Sequence, residues 1–206
     1  MQYLELKEKL NNFAIFSLSD IRKIETDFDR RRLNEWQDKG YIKKLRRGYY
    51  MFIDLPLNEE TLFLLANRLY APSYVSSEMA LSFYGLIPEG VYSITSISTR
   101  KTEKFKTPVA EFSYRMVKPE LFFGYRLAKI NNQQYKIAEM EKAVLDYLYL
   151  NSQMSSKAAF FEWRFNSKDF LAKADMTKFS KYLNIFKNKR MFGRAKIFVE
   201  FLKKSN

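Results

Sequence analysis

Arg30, Arg31 and Asn34 fall within five residues, at the start of a segment whose apolar residues, Leu33 and Trp36, share one side of a helix. Arg can donate two hydrogen bonds to guanine N7 and O6 and Asn can pair with adenine N6 and N7, so this set at a helix start carries base-reading chemistry. Arg32, beside Leu33, suits a flanking or phosphate contact. Shortly after, Lys43, Lys44, Arg46 and Arg47 lie in an aromatic, strand-like run, Tyr41 to Phe52, that is broken by an Arg-Arg-Gly turn. That run reads as a basic β-hairpin able to hold DNA backbone phosphates.

Other chemistries are constrained by absence. The chain has no Cys and no His, which removes disulfides, Cys- or His-ligated zinc and haem, thiolate nucleophiles and Ser-His-Asp triads. Four carboxylates, Glu78, Glu139, Glu141 and Asp146, are the material for a Mg²⁺ or acid/base site, but they are expected at helix starts and on surfaces, where acids serve capping and the helix dipole. No catalytic residue, metal or cofactor is therefore expected, and the chain reads as a non-enzyme. The contrasting class is a metal-dependent enzyme acting on nucleic acid or nucleotides through such carboxylates.

The elements that position these residues follow from 206 residues that are 47% hydrophobic and 17% aromatic, ample for packed cores. With 36 Lys+Arg against 23 Asp+Glu the net charge is +13. Residues 1–53 carry 12 basic and 8 acidic side chains (+4), residues 54–150 carry 11 of each, and residues 151–206 carry 13 and 4 (+9). Two positive ends around a neutral middle suit nucleic acid or an acidic partner. No uncharged run exceeds ten residues, so no membrane span is expected. Glu5 and Lys7 interrupt any signal core, and the expected location is the cytoplasm.

The expected fold class is α+β: an N-terminal winged helix-turn-helix over residues 1–54, then a mixed domain over 55–206 with an antiparallel sheet and, over 155–206, basic C-terminal helices. In the first unit, spacing predicts helices over Tyr3–Leu10, over Leu18–Glu25 behind the S-x-x-D cap Ser17–Asp20, and over Asp29–Lys39 ahead of Gly40. The boundary is expected at residues 54–58. Beyond it, Asn58 caps a helix that Pro72 ends, and a Ser-capped helix runs to Gly85. Strands are expected over Tyr92–Thr99, Glu111–Val117, Gly124–Ile130 and Tyr135–Ala138. A helix follows over Glu139–Leu148, with Ala143, Val144, Tyr147 and Leu148 as its buried face and Lys142 and Asp146 paired at i,i+4. In the tail, Phe179, Tyr182, Leu183 and Phe186 form a core stripe. Lys178, Lys181, Lys187, Lys189, Arg190, Arg194 and Lys196 are left as a second basic surface for phosphate or an acidic protein.

Four blocks in order, Leu45-Arg46-Arg47-Gly48-Tyr49-Tyr50, Tyr74 to Leu81, Ile97 to Lys101 and Ile137 to Asp146, make roughly residues 5 to 150 resemble the AbiEi antitoxin family of abortive-infection systems. The resemblance implies an antitoxin of a type IV toxin-antitoxin pair. Its winged helix represses its own operon at inverted repeats in double-stranded DNA, and its second domain antagonises a nucleotidyltransferase-like toxin without requiring a stable complex. By position, Arg30, Arg31, Asn34, Lys43, Lys44, Arg46 and Arg47 fall in the DNA-binding module, and Ser76, Ser77, Glu78, Thr99, Arg100, Glu141, Lys142 and Asp146 in the antitoxin domain. The alternative within binding proteins is a winged-helix regulator whose second domain senses a ligand or partner.

Overall fold

The computed structural model describes residues 1–88, 90 and 93–204. The chain is mixed α and β. Tyr3–Lys9 (α1), Phe16–Ser17 (β1), Leu18–Arg22 (α2), Arg31–Asp38 (α3), Ile42–Arg46 (β2) and Tyr49–Phe52 (β3) form an N-terminal unit. Its strands make an antiparallel sheet in the order β1-β3-β2. Helix α2 starts at the expected reciprocal cap: the Asp20 amide donates to Ser17 Oγ at 3.2 Å and the Ser17 amide to Asp20 Oδ2 at 2.9 Å. It ends at Arg22, three residues before the expected Glu25. Gly48, at φ +85°, closes the turn between β2 and β3. Strand alternation splits β3 between two cores. Tyr50 and Phe52 join Leu33 and Trp36 in the first unit's own core, while Met51, with Leu45 of β2, belongs to the core of the rest of the chain.

The second part runs through Glu59–Leu69 (α4), Ser73–Val75 (β4), Ser77–Phe83 (α5), Ser93–Ser98 (β5), Glu103–Lys106 (β6), Glu111–Met116 (β7), Tyr125–Ile130 (β8), Gln133–Ala138 (β9) and Met140–Leu150 (α6). Four helices follow: Lys157–Glu162 (α7), Ser167–Lys173 (α8), Met176–Ile185 (α9) and Lys189–Lys204 (α10). Tyr92, the first residue of one expected strand, lies outside the described residues.

The six strands form one sheet in the order β6-β7-β5-β4-β9-β8. This corrects the expectation of an antiparallel sheet: β5 pairs with β7, and β4 with β9, in parallel, and the remaining pairs are antiparallel. The reason lies in β6, which has a single apolar residue, Phe105, among Glu103, Lys104 and Lys106 and so carries almost no hydrophobic alternation. Without it β5 and β7 look like consecutive hairpin strands. With it the chain reverses once more and β7 returns parallel to β5. Adjacent residues of β4 reach opposite faces: Ser73 Oγ donates to the Ala66 carbonyl of α4 at 3.5 Å, and Tyr74 Oη to Asp146 of α6 at 2.9 Å. Both faces of the central sheet are thus covered. Among the described residues, no helix is long and apolar enough to cross a membrane.

Candidate functional site

Helix α3 sits on the first core through Leu33 and Trp36, so the residues between them face out. Arg30 occupies the N-cap position, where the cap is supplied instead by Asp29, whose Oδ1 accepts from the Arg31 amide at 2.9 Å. The side chains of Arg30, Arg31 and Asn34 are exposed, as are Lys44 and, at the hairpin turn, Arg47. None of these four cations makes an ion pair among the described residues. Arg32 is different: its guanidinium lies 5.6 Å from the centre of the Trp36 ring and within 3.4 Å of Gln2 Oε1, a flanking position. Lys43 is half-buried opposite Met51.

Arg46 parts from this group. The ladder shifts register between Lys44 and Arg46, and the Arg46 guanidinium leaves the hairpin, pairs with Glu103 of β6 and lies 4.2 Å over the Phe105 ring. It fastens the hairpin to the central sheet. Glu103 gives no such signal in the sequence, because β6 itself is not legible there.

Two of the four acids expected at helix starts and on surfaces, Glu141 and Asp146, are inside, which is a correction; Glu78 and Glu139 are half-buried. Asp146 and Lys142 are wholly buried and Glu141 nearly so. Helix α6 is enclosed by the sheet, α5, α9 and α10, so Glu141, Lys142, Leu145 and Asp146 are buried beside the expected Ala143, Val144 and Leu148, whereas Tyr147 is only half-buried. Lys142 and Asp146 form the expected i,i+4 pair. Asp146 Oδ2 also accepts from Tyr74 Oη at 2.9 Å and from Ser76 Oγ at 2.8 Å, and Lys142 Nζ donates to Tyr74 Oη at 2.8 Å. Ser76 therefore does not cap α5 with its hydroxyl, and Ser77 takes a left-handed backbone, φ +56°, at the helix start.

Around the Lys142 ammonium stand the rings of Phe123, Tyr74 and Phe186, at 4.8, 5.3 and 5.5 Å. Burial pushes the Lys142 pKa down against the opposing pull of Asp146, and burial together with Asp146 holds the Tyr74 phenol well above its usual range. The backbone passes close by at Gly124, where φ is +70° and an added Cβ would stand 3.0 Å from Lys142 Cγ. Only glycine fits both the conformation and the gap.

A second polar cluster ties α6 to α9. Glu141 accepts from the Asp175 amide at 2.8 Å and pairs with Lys178 at 3.3 Å, and Glu139 accepts from Tyr182 Oη at 2.6 Å. Burial and Glu139 push the Tyr182 phenol up to about 12. Of the other residues singled out in the second domain, Glu78 and Thr99 are half-buried. Arg100 is exposed yet donates to the Ala71 carbonyl at 3.1 Å and lies over Tyr70.

No protein-family model matches this chain, and no curated protein matches it. Of the second basic group, Lys178 is held between Glu139 and Glu141, and Arg194 is half-buried with its Nε unpartnered among the described residues. Lys181, Lys187, Lys189, Arg190 and Lys196 are exposed on α9, α10 and the link between them. Phe179 and Phe186 are buried, and Tyr182 and Leu183 are packed against the core, as the stripe requires.

Proposed function

We propose that this protein is a DNA-binding transcriptional autorepressor whose first unit is a winged helix-turn-helix. The observation that carries the reading is the exposed set Arg30, Arg31 and Asn34 at the start of α3, together with Lys44 and Arg47 on the hairpin, whose cations form no ion pair among the described residues. The order helix, strand, two helices, hairpin supports it, with α3 entering a major groove and the hairpin lying on the backbone or minor groove. Arg30, Arg31 and Asn34 read bases, Lys44 and Arg47 contact phosphates, and Arg46 sets the angle of the wing. The test is a titration against DNA from immediately upstream of the gene, at about 150 mM salt with excess unrelated DNA, where nonspecific binding is typically 10⁻⁴ to 10⁻⁶ M. Affinity tighter than about 10⁻⁸ M that survives the competitor is expected. Weak binding that the competitor removes would withdraw the autorepressor reading.

We further infer antitoxin activity against a nucleotidyltransferase-like toxin, on the strength of the four sequence blocks that resemble the AbiEi family. Three of those blocks meet in one place: Tyr74 and Ser76 of the second and Lys142 and Asp146 of the fourth share the buried network, and Ile97 of the third pairs with Tyr74. Those buried residues serve the fold, which leaves Glu78, Thr99 and Arg100, of the residues singled out in these blocks, for a toxin to reach. Co-expression with the neighbouring gene product tests this: rescue of growth is expected, and toxicity that persists would remove the antitoxin reading.

A further inference from the structure

Between the N-terminal unit and the central sheet lies an open groove of about 530 Å³, within the range of small-molecule sites. It forms because β4 pairs with β9 only at Val75–Ile137, leaving residues 133–136 of β9 without a strand neighbour on that side. Its lining contains two cations, Arg68 and Lys136, and no Asp or Glu. Arg68 is exposed and makes no ion pair among the described residues. Asn132 and Gln134 add carboxamides, and Phe13, from the first unit, presents a partly exposed ring. In the wall Gln133 donates to the Asn12 carbonyl, bridging the two units, while its Oε1 is shut off from water and meets no donor among the described residues. A buried acceptor without a donor is uncommon, but this atom is closed to the groove, so a ligand meets only the exposed side chains of the lining.

These groups suit a ligand with three parts: an anion for Arg68, a donor–acceptor edge for the carboxamides and a flat face for Phe13; the Lys136 ammonium lies 5.1 Å over the Tyr125 ring, outside the lining, and adds only long-range attraction. We propose that the groove binds a purine mononucleotide, with its phosphate at Arg68 and its base edge on Asn132 and Gln134. The Phe13 ring stacks on the base. Because the groove is walled by both units, the bound nucleotide fixes their relative angle and so changes operator affinity. That consequence rests on the DNA-binding reading, whereas the binding itself does not.

Calorimetric titration of the full chain, without DNA, tests the site with four probes: AMP, GMP, adenosine and inorganic phosphate. One saturable site per chain is expected for at least one nucleotide, with phosphate alone and adenosine alone each weaker by about tenfold or more. Arg68→Ala, an exposed change on α4 that leaves the melting temperature in place, is expected to weaken the nucleotide about tenfold. Lys187→Ala/Lys189→Ala/Arg190→Ala, which removes exposed tail charge, is expected to leave it unchanged. No saturation by either nucleotide up to about 1 mM would overturn the proposal. Unchanged affinity in Arg68→Ala, or loss in the tail variant instead, would overturn it equally, by placing the nucleotide elsewhere. A repeat with operator DNA present then reads the coupling separately.

Discussion

At the start of α3, Arg30 and Arg31 project into water and form no ion pair among the described residues, whereas on α6 Lys142 is wholly buried and meets Asp146 and three aromatic rings, that of Tyr74 among them. Both helices carry cations beside an apolar seam, and only the number of packed faces separates them. A helix with one covered face keeps its charges hydrated, so an external anion can be met at little desolvation cost. A helix enclosed on nearly all sides must give each charge a partner inside, because an unpaired buried charge costs several kcal/mol. The first arrangement is available for recognition and the second fixes one packing of sheet against helices.

The sharpest way to break the comparison is to truncate one cation of each kind. Lys142→Ala leaves Asp146 buried without its counter-charge, and a loss of about 3–5 kcal/mol in urea unfolding is expected. Lys142→Met/Asp146→Leu removes both charges and should cost clearly less, even though Tyr74 and Ser76 lose an acceptor. A double variant as unstable as Lys142→Ala would show that the hydroxyl bonds, not the ion pair, hold this centre together.

Arg30→Ala/Arg31→Ala should leave the unfolding curve nearly unchanged and weaken operator binding about 100-fold, with discrimination between sequences reduced. Lys44→Ala/Arg47→Ala should lower affinity for all sequences alike and reduce the salt slope by about 2. Arg46→Ala is expected to behave differently from its neighbour Arg47. It frees Glu103 and loosens the hairpin, so the melting temperature falls while the salt slope stays. A slope that falls for Arg46→Ala as it does for Arg47→Ala would place Arg46 on the phosphates after all.

How far the two regions were readable from sequence follows the same division. In the first unit the signals are mostly local: the Ser17–Asp20 cap, the Leu33/Trp36 seam and the Arg47-Gly48 turn each act within a few residues, so the three helices and the hairpin appear where the pattern puts them, while the short strand β1, the early end of α2 and the pairing of Arg46 depend on residues outside those windows. In the second part they are not. Asp146 is buried because residues about 70 positions away, Tyr74 and Ser76, bring it three hydrogen-bonding groups with Lys142, and no window of helical spacing contains them. Strand β6 is not legible for a related reason: a short, charge-rich edge strand satisfies its backbone in the ladder without showing an apolar period. Arg46 and Glu103, 57 residues apart, were hidden together.

Two glycines, one in each region, make the contrast quantitative. Gly48 and Gly124 have similar backbone angles, φ +85° and +70°, but a Cβ at Gly48 would meet nothing within 4 Å, while at Gly124 it would press on three carbons of Lys142 at 3.0–3.1 Å. Gly48→Ala should therefore cost only the left-handed penalty, about 1 kcal/mol. Gly124→Ala should cost that and the displacement of a buried lysine, about 2–3 kcal/mol in all. Equal costs would mean that the Lys142 stem yields freely and that its cage is softer than its burial implies.

The smallest effect concerns Tyr182, whose phenol donates to Glu139 at 2.6 Å and titrates at about 12 in the folded chain. An unfolded tyrosine titrates near 10. Below pH 10 both states hold the proton and the hydrogen bond is fully stabilising, by about 1 kcal/mol for a half-exposed bond to a carboxylate. Between pH 10 and 12 the unfolded chain releases its proton first, so ionisation favours unfolding and this contribution fades as pH rises. Tyr182→Phe should thus lie below the natural protein in stability at neutral pH and converge on it toward pH 12, in unfolding curves taken at each pH. Tyr74, also held well above its usual range by burial beside Asp146, keeps some alkaline loss in both proteins. A gap that stays constant across that window would mean the Tyr182 proton does not bind α9 to α6. Operator affinity at neutral pH should not differ between the two proteins, because the cations of α3 belong to the other, hydrated class.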